Sequence, residues 1–157
     1  MRSVWSTVAA IFLVALGSDP GHAQVPQAQG VIALAPGELS WQERPGDPEV
    51  LTAPLYGNPA EEGHYIIRLK FPPSWTGRPH THGGLELATF QSGTCYVAYG
   101  DDLSREATKR FGPGSFVAFP AGTKMRAFTG EDGCVVDVQG QGPFTIQYLD
   151  EKGDRDR

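Results

Sequence analysis

From His64 onward the chain is a succession of short apolar runs cut by turn-forming residues, and this spacing limits its fold more than any other feature. Tyr65, Ile67, Leu69 and Phe71 alternate with Ile66, Arg68 and Lys70, the period-two pattern of a half-buried strand. Further runs suited to strands lie at 85–90, 94–100, 115–120, 124–128, 134–140 and 144–150. Between them stand PPSWTG (72–77), Gly93, GPG (112–114), AG (121–122), GEDG (130–133) and GQGP (140–143), all turn chemistry. The one helical candidate, DLSREATKR (102–110), is short and charged. Many short strands at even spacing predict an all-β sandwich or barrel. Residues 24–63 are richer in Pro and Gly and predict an extended N-terminal arm with one or two strands, around 31–35 and 50–57.

The N-terminus has the layout of a secretory signal peptide: Arg2, an unbroken apolar run at 8–16, then GSDPGHA before Gln24. The run is too short to cross a bilayer, which takes about 20 apolar residues. The expected organisation is a signal peptide at 1–23 and a single domain at 24–157, with its core at about 37–150. The expected location is periplasmic or secreted. No twin arginine precedes the apolar run, which implies export as an unfolded chain. A formal charge of −5 without a basic run argues against nucleic acid and anionic membrane as partners. A small-molecule ligand remains the expected partner, and a homodimer through edge strands the expected assembly. Cys95 and Cys134 are the only cysteines, and two readings stand for them: a disulfide formed outside the cytoplasm, or two buried thiols.

Chemistry concentrates in PHTHGGLE (79–86). Side chains two apart on a strand share a face, so His80 and His82 project together. Gly83 and Gly84 turn the chain, and Glu86 on the next strand faces back. Two imidazoles and a carboxylate placed in this way form a three-ligand site for a divalent transition metal, with positions left open.

At this point the chain resembles the cupin superfamily. His80, His82, Glu86 and Gly93 match the spacing of that family's first motif, and Gly114, Pro120 and Gly122 match the second. The resemblance spans about 37–150 and is strongest toward small exported bacterial cupins, through RLKFP, SGT, PAGT and the GPF-I-Y ending. It implies a single jelly-roll type β-barrel and His80, His82 and Glu86 as metal ligands. The implied activity is of dioxygenase, isomerase or lyase type, with no choice among them, and the alternative is a degenerate, non-catalytic binding module. Zn and Cu are favoured by loading outside the cytoplasm, while Fe, Mn and Ni also suit the donor set.

Three positions depart from the motifs. Ser74 stands at the first-motif glycine, with Gly77 nearby; Met125 stands at the second-motif metal histidine; Thr129 stands at the asparagine. Met125 is then a soft, weak donor or a core residue in the histidine's place. His64 is a poor substitute, about 16 Å along its strand from the residue expected beside His82 if strand 65–71 folds back on 80–82. Asp137 is a candidate proton acceptor or outer partner of a ligating histidine if its face lines the barrel, and a solvated residue otherwise. Tyr65, Tyr99, Phe119 and Phe128 are candidates to line an apolar cavity.

Overall fold

The computed structural model describes residues 30–149, so the expected signal peptide at 1–23, the start of the arm and the tail from 150 lie outside the described residues. After a 3-10 turn at Pro36–Glu38 come nine strands: β1 (Gln42–Arg44), β2 (Asp47–Tyr56), β3 (Gly63–Phe71), β4 (His80–His82), β5 (Glu86–Tyr99), β6 (Lys109–Phe111), β7 (Phe116–Phe119), β8 (Met125–Gly142) and β9 (Ile146–Tyr148). All pairings are antiparallel. The order β1-β2-β3-β8-β4-β9 runs through the sheet, and β5 joins β8 to β6 and β7.

The fold is all-β, a curled sheet whose concave face encloses the core, but several elements differ from expectation. Segment 102–110 forms no helix: turns and bends run to 108, and the last two residues begin β6. It lacks an apolar stripe; Leu103 is its one large apolar side chain, and that is buried with Ala98 and Leu149. Residues 31–35 form no strand, and Val31 is almost fully exposed. The rest of the arm is a hairpin: β2 pairs with β1 on one side and β3 on the other, which extends the sheet. Strand β3 pairs with β8 and does not fold back on 80–82.

The runs 85–90 and 94–100 join into β5, and 124–128 and 134–140 join into β8. Their turn signals survive as an irregularity between the two long strands. Gly93 pairs with Cys134 but Cys95 pairs with Thr129, so GEDG (130–133) bulges from the ladder. Gly93 takes φ 70° there, and a Cβ on it would run into the backbone of Gly133. Across this bulge Cys95 and Cys134 form a disulfide, with Cα atoms 5.6 Å apart. Closing a loop of 39 residues restricts the unfolded chain by about 4 kcal/mol in the chain-entropy account. Of the two readings of the cysteines, the structure has the disulfide.

Ser74, at the position where the motif has glycine, adopts φ 55°, the left-handed conformation that glycine takes without cost. The backbone shape is kept although the residue type is not. The core is built from inward residues of β3, β5 and β8, including Ile67, Leu69, Phe90, Val97, Val136 and Val138.

Candidate functional site

Strand β4 is only three residues long and is held on both sides: His80 pairs with Met125 of β8 and with Tyr148 of β9. Main-chain bonds extend this hold, from Gly122 N–H to the His82 carbonyl at 2.8 Å and from Leu149 N–H to the Pro79 carbonyl at 2.9 Å. Gly122 lies in the PAG turn with φ 77°, so the second motif supports the backbone of a first-motif histidine. Gly83 N–H donates to Thr145 Oγ1 at 3.2 Å, and a Cβ on Gly83 would collide with that oxygen.

Each histidine has one ring nitrogen committed. His80 Nδ1–H donates to the Arg78 carbonyl at 2.8 Å, and His82 Nδ1–H donates to the Thr145 carbonyl at 3.1 Å. A carbonyl can only accept, so in each neutral ring the proton sits on Nδ1 and Nε2 keeps its lone pair. Burial, with the neighbouring His82 second and Arg44 a smaller contributor, pulls His80 down to about 4 against the Arg78 carbonyl; His80 is therefore neutral at pH 7. Glu86 begins β5 and is buried; its Oε2 lies 3.1 Å from His82 Nε2. Burial pushes its carboxyl above the usual range, against the opposing pull of His82 and Arg44. The contact sets the Glu86 carboxyl against the one ring nitrogen of His82 that no backbone carbonyl holds. The rings of His80 and His82 stand edge-on at 4.8 Å, and Phe144 packs on His82 at 4.8 Å.

These residues open onto an apolar chamber of about 90 Å³ in the core, whose wall includes Leu69, Phe71, Phe90, Val97, Phe119 and Met125. Outside it lies a polar cleft of about 190 Å³, bordered by Arg44, Asp47, Glu49, Arg78 and Tyr148. His80 and Arg44 line both spaces. Of the four aromatics expected around a cavity, only Phe119 lines the chamber. Tyr99 is half-exposed against Phe119, and Phe128 packs between Arg105 and Arg126. Tyr65 borders a small adjoining space with His82 and Glu86; burial and the Glu86 charge push its hydroxyl up to about 12, which makes it a hydrogen-bond donor and not a base.

The sequence-named residues divide cleanly. Met125 is buried and faces the chamber beside His80. Thr129 is also buried, but its hydroxyl accepts from Trp75 N–H at 2.8 Å and donates to the Pro72 carbonyl at 2.7 Å, a clamp on the 72–77 turn. Asp137 is not a site residue. Cys134, Val136 and Val138 take the inward face of β8, and Asp137 sits outside, with both its oxygens bonded to Arg68 at 2.6 and 2.7 Å and one also to Gln91. The more apolar face of the strand turns inward. His64 lies away from the site, exposed and against Gln141. Arg44 went unnoticed in the sequence, since no motif marks it and only the docking of β1 brings it to the mouth.

His82 Nε2 and Glu86 Oε2 already have the separation of two donors on one ion, which at about 2.1 Å each and a right angle stand about 3.0 Å apart. His80 lies outside that pair, and among the described residues no three His, Cys, Asp or Glu side chains converge in ligating geometry. The donor chemistry fits a divalent transition metal: two imidazoles held by backbone carbonyls with Nε2 left over, and a carboxylate beside them.

No protein-family model matches the chain, and no curated protein matches it. Solved structures do. A protein with a cupin-like fold from Ralstonia eutropha superposes with a TM-score of 0.64 at 18% identity, covering 81% of this chain and 75% of its own. The polyketide cyclase RemF from Streptomyces resistomycificus gives 0.62 at 18% identity, covering 79% and 90%. KdgF from Halomonas sp. gives 0.54 at 20% identity, covering 69% and 91%. These likenesses show that the chain has a cupin-like fold.

Proposed function

We propose that this chain is an exported, metal-binding cupin that holds one divalent transition metal through His80, His82 and Glu86 and takes a small oxygen-rich molecule at the chamber. The observation that supports it is the tying of both Nδ1 atoms to backbone carbonyls, which turns the Nε2 atoms, that of His82 beside the Glu86 carboxyl, toward a shared cation. A dication held there supplies Lewis acidity toward a carboxylate, enolate or diol oxygen. The apolar walls keep water away from such a group, and Tyr65 offers a proton donor nearby. The likeness in fold to a polyketide cyclase is compatible with enzymatic use of the site but does not select a reaction.

A second reading is a non-catalytic binding module. It is favoured by Met125 at the fourth position and by the closed Glu86–His82 hydrogen bond, which satisfies both groups without a metal. The test is elemental analysis of the full chain purified after export, beside a His80→Ala, His82→Ala double variant. About one equivalent of metal in the wild type, lost in the variant, is expected; below about one-tenth equivalent the metal reading fails.

A further inference from the structure

Arg44 ends β1 at the shift in register between Glu43 and Arg44. That places it at the junction of the two spaces, lining the outer cleft and the inner chamber together with His80. Its positive charge reaches both His80 and Glu86. Asp47 and Glu49 border the same cleft, yet among the described residues no hydrogen bond or ion pair holds the Arg44 guanidinium. A half-buried guanidinium without a partner is costly, and its planar fork suits one partner best, a carboxylate bound through both oxygens.

What lies behind Arg44 narrows the class further. The chamber wall is apolar, so a second charged end would have to sit among Leu69, Phe71, Phe90 and Val97 and near the carboxyl of Glu86. At about 10–15 Å³ for each water-sized centre, a chamber of about 90 Å³ takes on the order of six to nine heavy atoms.

We propose that Arg44 determines specificity at this site for short monocarboxylates, with the carboxylate seated on the guanidinium at the mouth and the apolar body in the chamber. The proposal rests on the chamber of the proposed function as the binding site but departs from its oxygen-rich ligand: the carboxylate at the mouth is the one polar end. Arg44 is not itself a metal donor, and metal content is measured beside ligand binding in every variant, so the two ideas fail separately.

The experiment is calorimetric titration of the full chain with hexanoate, decanoate and hexanamide, on chelator-treated and zinc-loaded protein, with metal content measured in parallel. Hexanoate is expected to bind more tightly than hexanamide, and decanoate, too long for the chamber, more weakly than hexanoate. Arg44→Gln is expected to weaken hexanoate about tenfold or more, with Arg44→Lys between, and to leave hexanamide within about twofold. Unchanged melting of both variants shows that the loss is not misfolding; should Arg44→Gln melt early, the Arg44→Lys comparison decides. Equal hexanoate affinity in wild type and variants overturns the proposal, as does hexanoate binding no better than hexanamide. Arg44-dependent binding in a protein that takes up no metal upholds this proposal and removes the metal reading alone.

Discussion

The two segments that meet at the chamber mouth make opposite use of buried polar positions. On β4 and the start of β5, His80, His82 and Glu86 each retain hydrogen-bonding or ligating capacity directed at the chamber or at one another. On β8, the two positions that the second motif reserves for histidine and asparagine hold Met125, an apolar part of the chamber wall, and Thr129, which serves the scaffold. His82 and Glu86 are buried as Met125 and Thr129 are, so burial alone does not distinguish a reactive group from a structural one. What distinguishes them is whether the group's hydrogen-bonding capacity is used up. Thr129 has donated and accepted; His80 has donated only, and the Nε2 of His82 meets only the Glu86 carboxyl.

Thr129→Val should break this contrast most visibly. It keeps the shape but leaves Trp75 N–H and the Pro72 carbonyl without their partner, and is expected to lower stability by about 2 to 4 kcal/mol in urea unfolding while metal content per folded molecule stays constant. A comparable loss of metal would mean that the two segments are not separate in role.

The pH dependence of the metal-free protein sharpens the same contrast. His80 has a folded pKa of about 4 against an ordinary 6.5, so below pH 6.5 the unfolded chain takes a proton that the folded chain refuses. Stability is thus lost as pH falls from 6.5 toward 4, by about 3 kcal/mol at the acid limit, and His80→Gln should flatten that limb of a urea-midpoint profile. Glu86 works in the other sense. Its raised pKa means that the folded chain keeps a proton that the unfolded chain releases above 4.5, so stability is lost as pH rises through that window. Glu86→Gln should therefore make the metal-free protein more stable than wild type at pH 7, with the gain shrinking toward pH 4.5, while reducing metal uptake.

The smallest effect on the fold is expected from Met125→His. It exchanges a weak thioether donor for an imidazole in a space next to His80 and should slow metal loss to a chelator by about tenfold. An unchanged rate would show that position 125 belongs wholly to the scaffold.

Much of this was legible in the sequence where the determinant is local. The two-residue period puts His80 and His82 on one face, and the glycine pair brings Glu86 back, with no knowledge of the rest of the chain. Gly93 and GEDG were legible as turn chemistry, but not that both would be absorbed into one irregularity within long strands, because that depends on how β5 and β8 register. Asp137 shows the limit of a period-two argument, which yields two faces and not which one is inside. Comparing Cys134, Val136 and Val138 with Val135, Asp137 and Gln139 would have favoured the first set by apolarity alone. The carbonyls that fix the imidazole tautomers and the arrival of Arg44 at the mouth were not legible, since backbone groups carry no sequence signal and β1 reaches the site only through β2.

The strand β9 has a consequence for when the site can exist. Thr145, whose carbonyl orients His82, comes 63 residues after it, and the residues opposite β4 run from Ile146 to Tyr148. In a chain made or threaded from its N-terminal end, both histidines emerge well before the strand that aims them. A metal met during that interval meets two loose imidazoles and not the oriented pair. Under the metal-binding reading proposed above, the ions present where β9 docks decide which metal is kept.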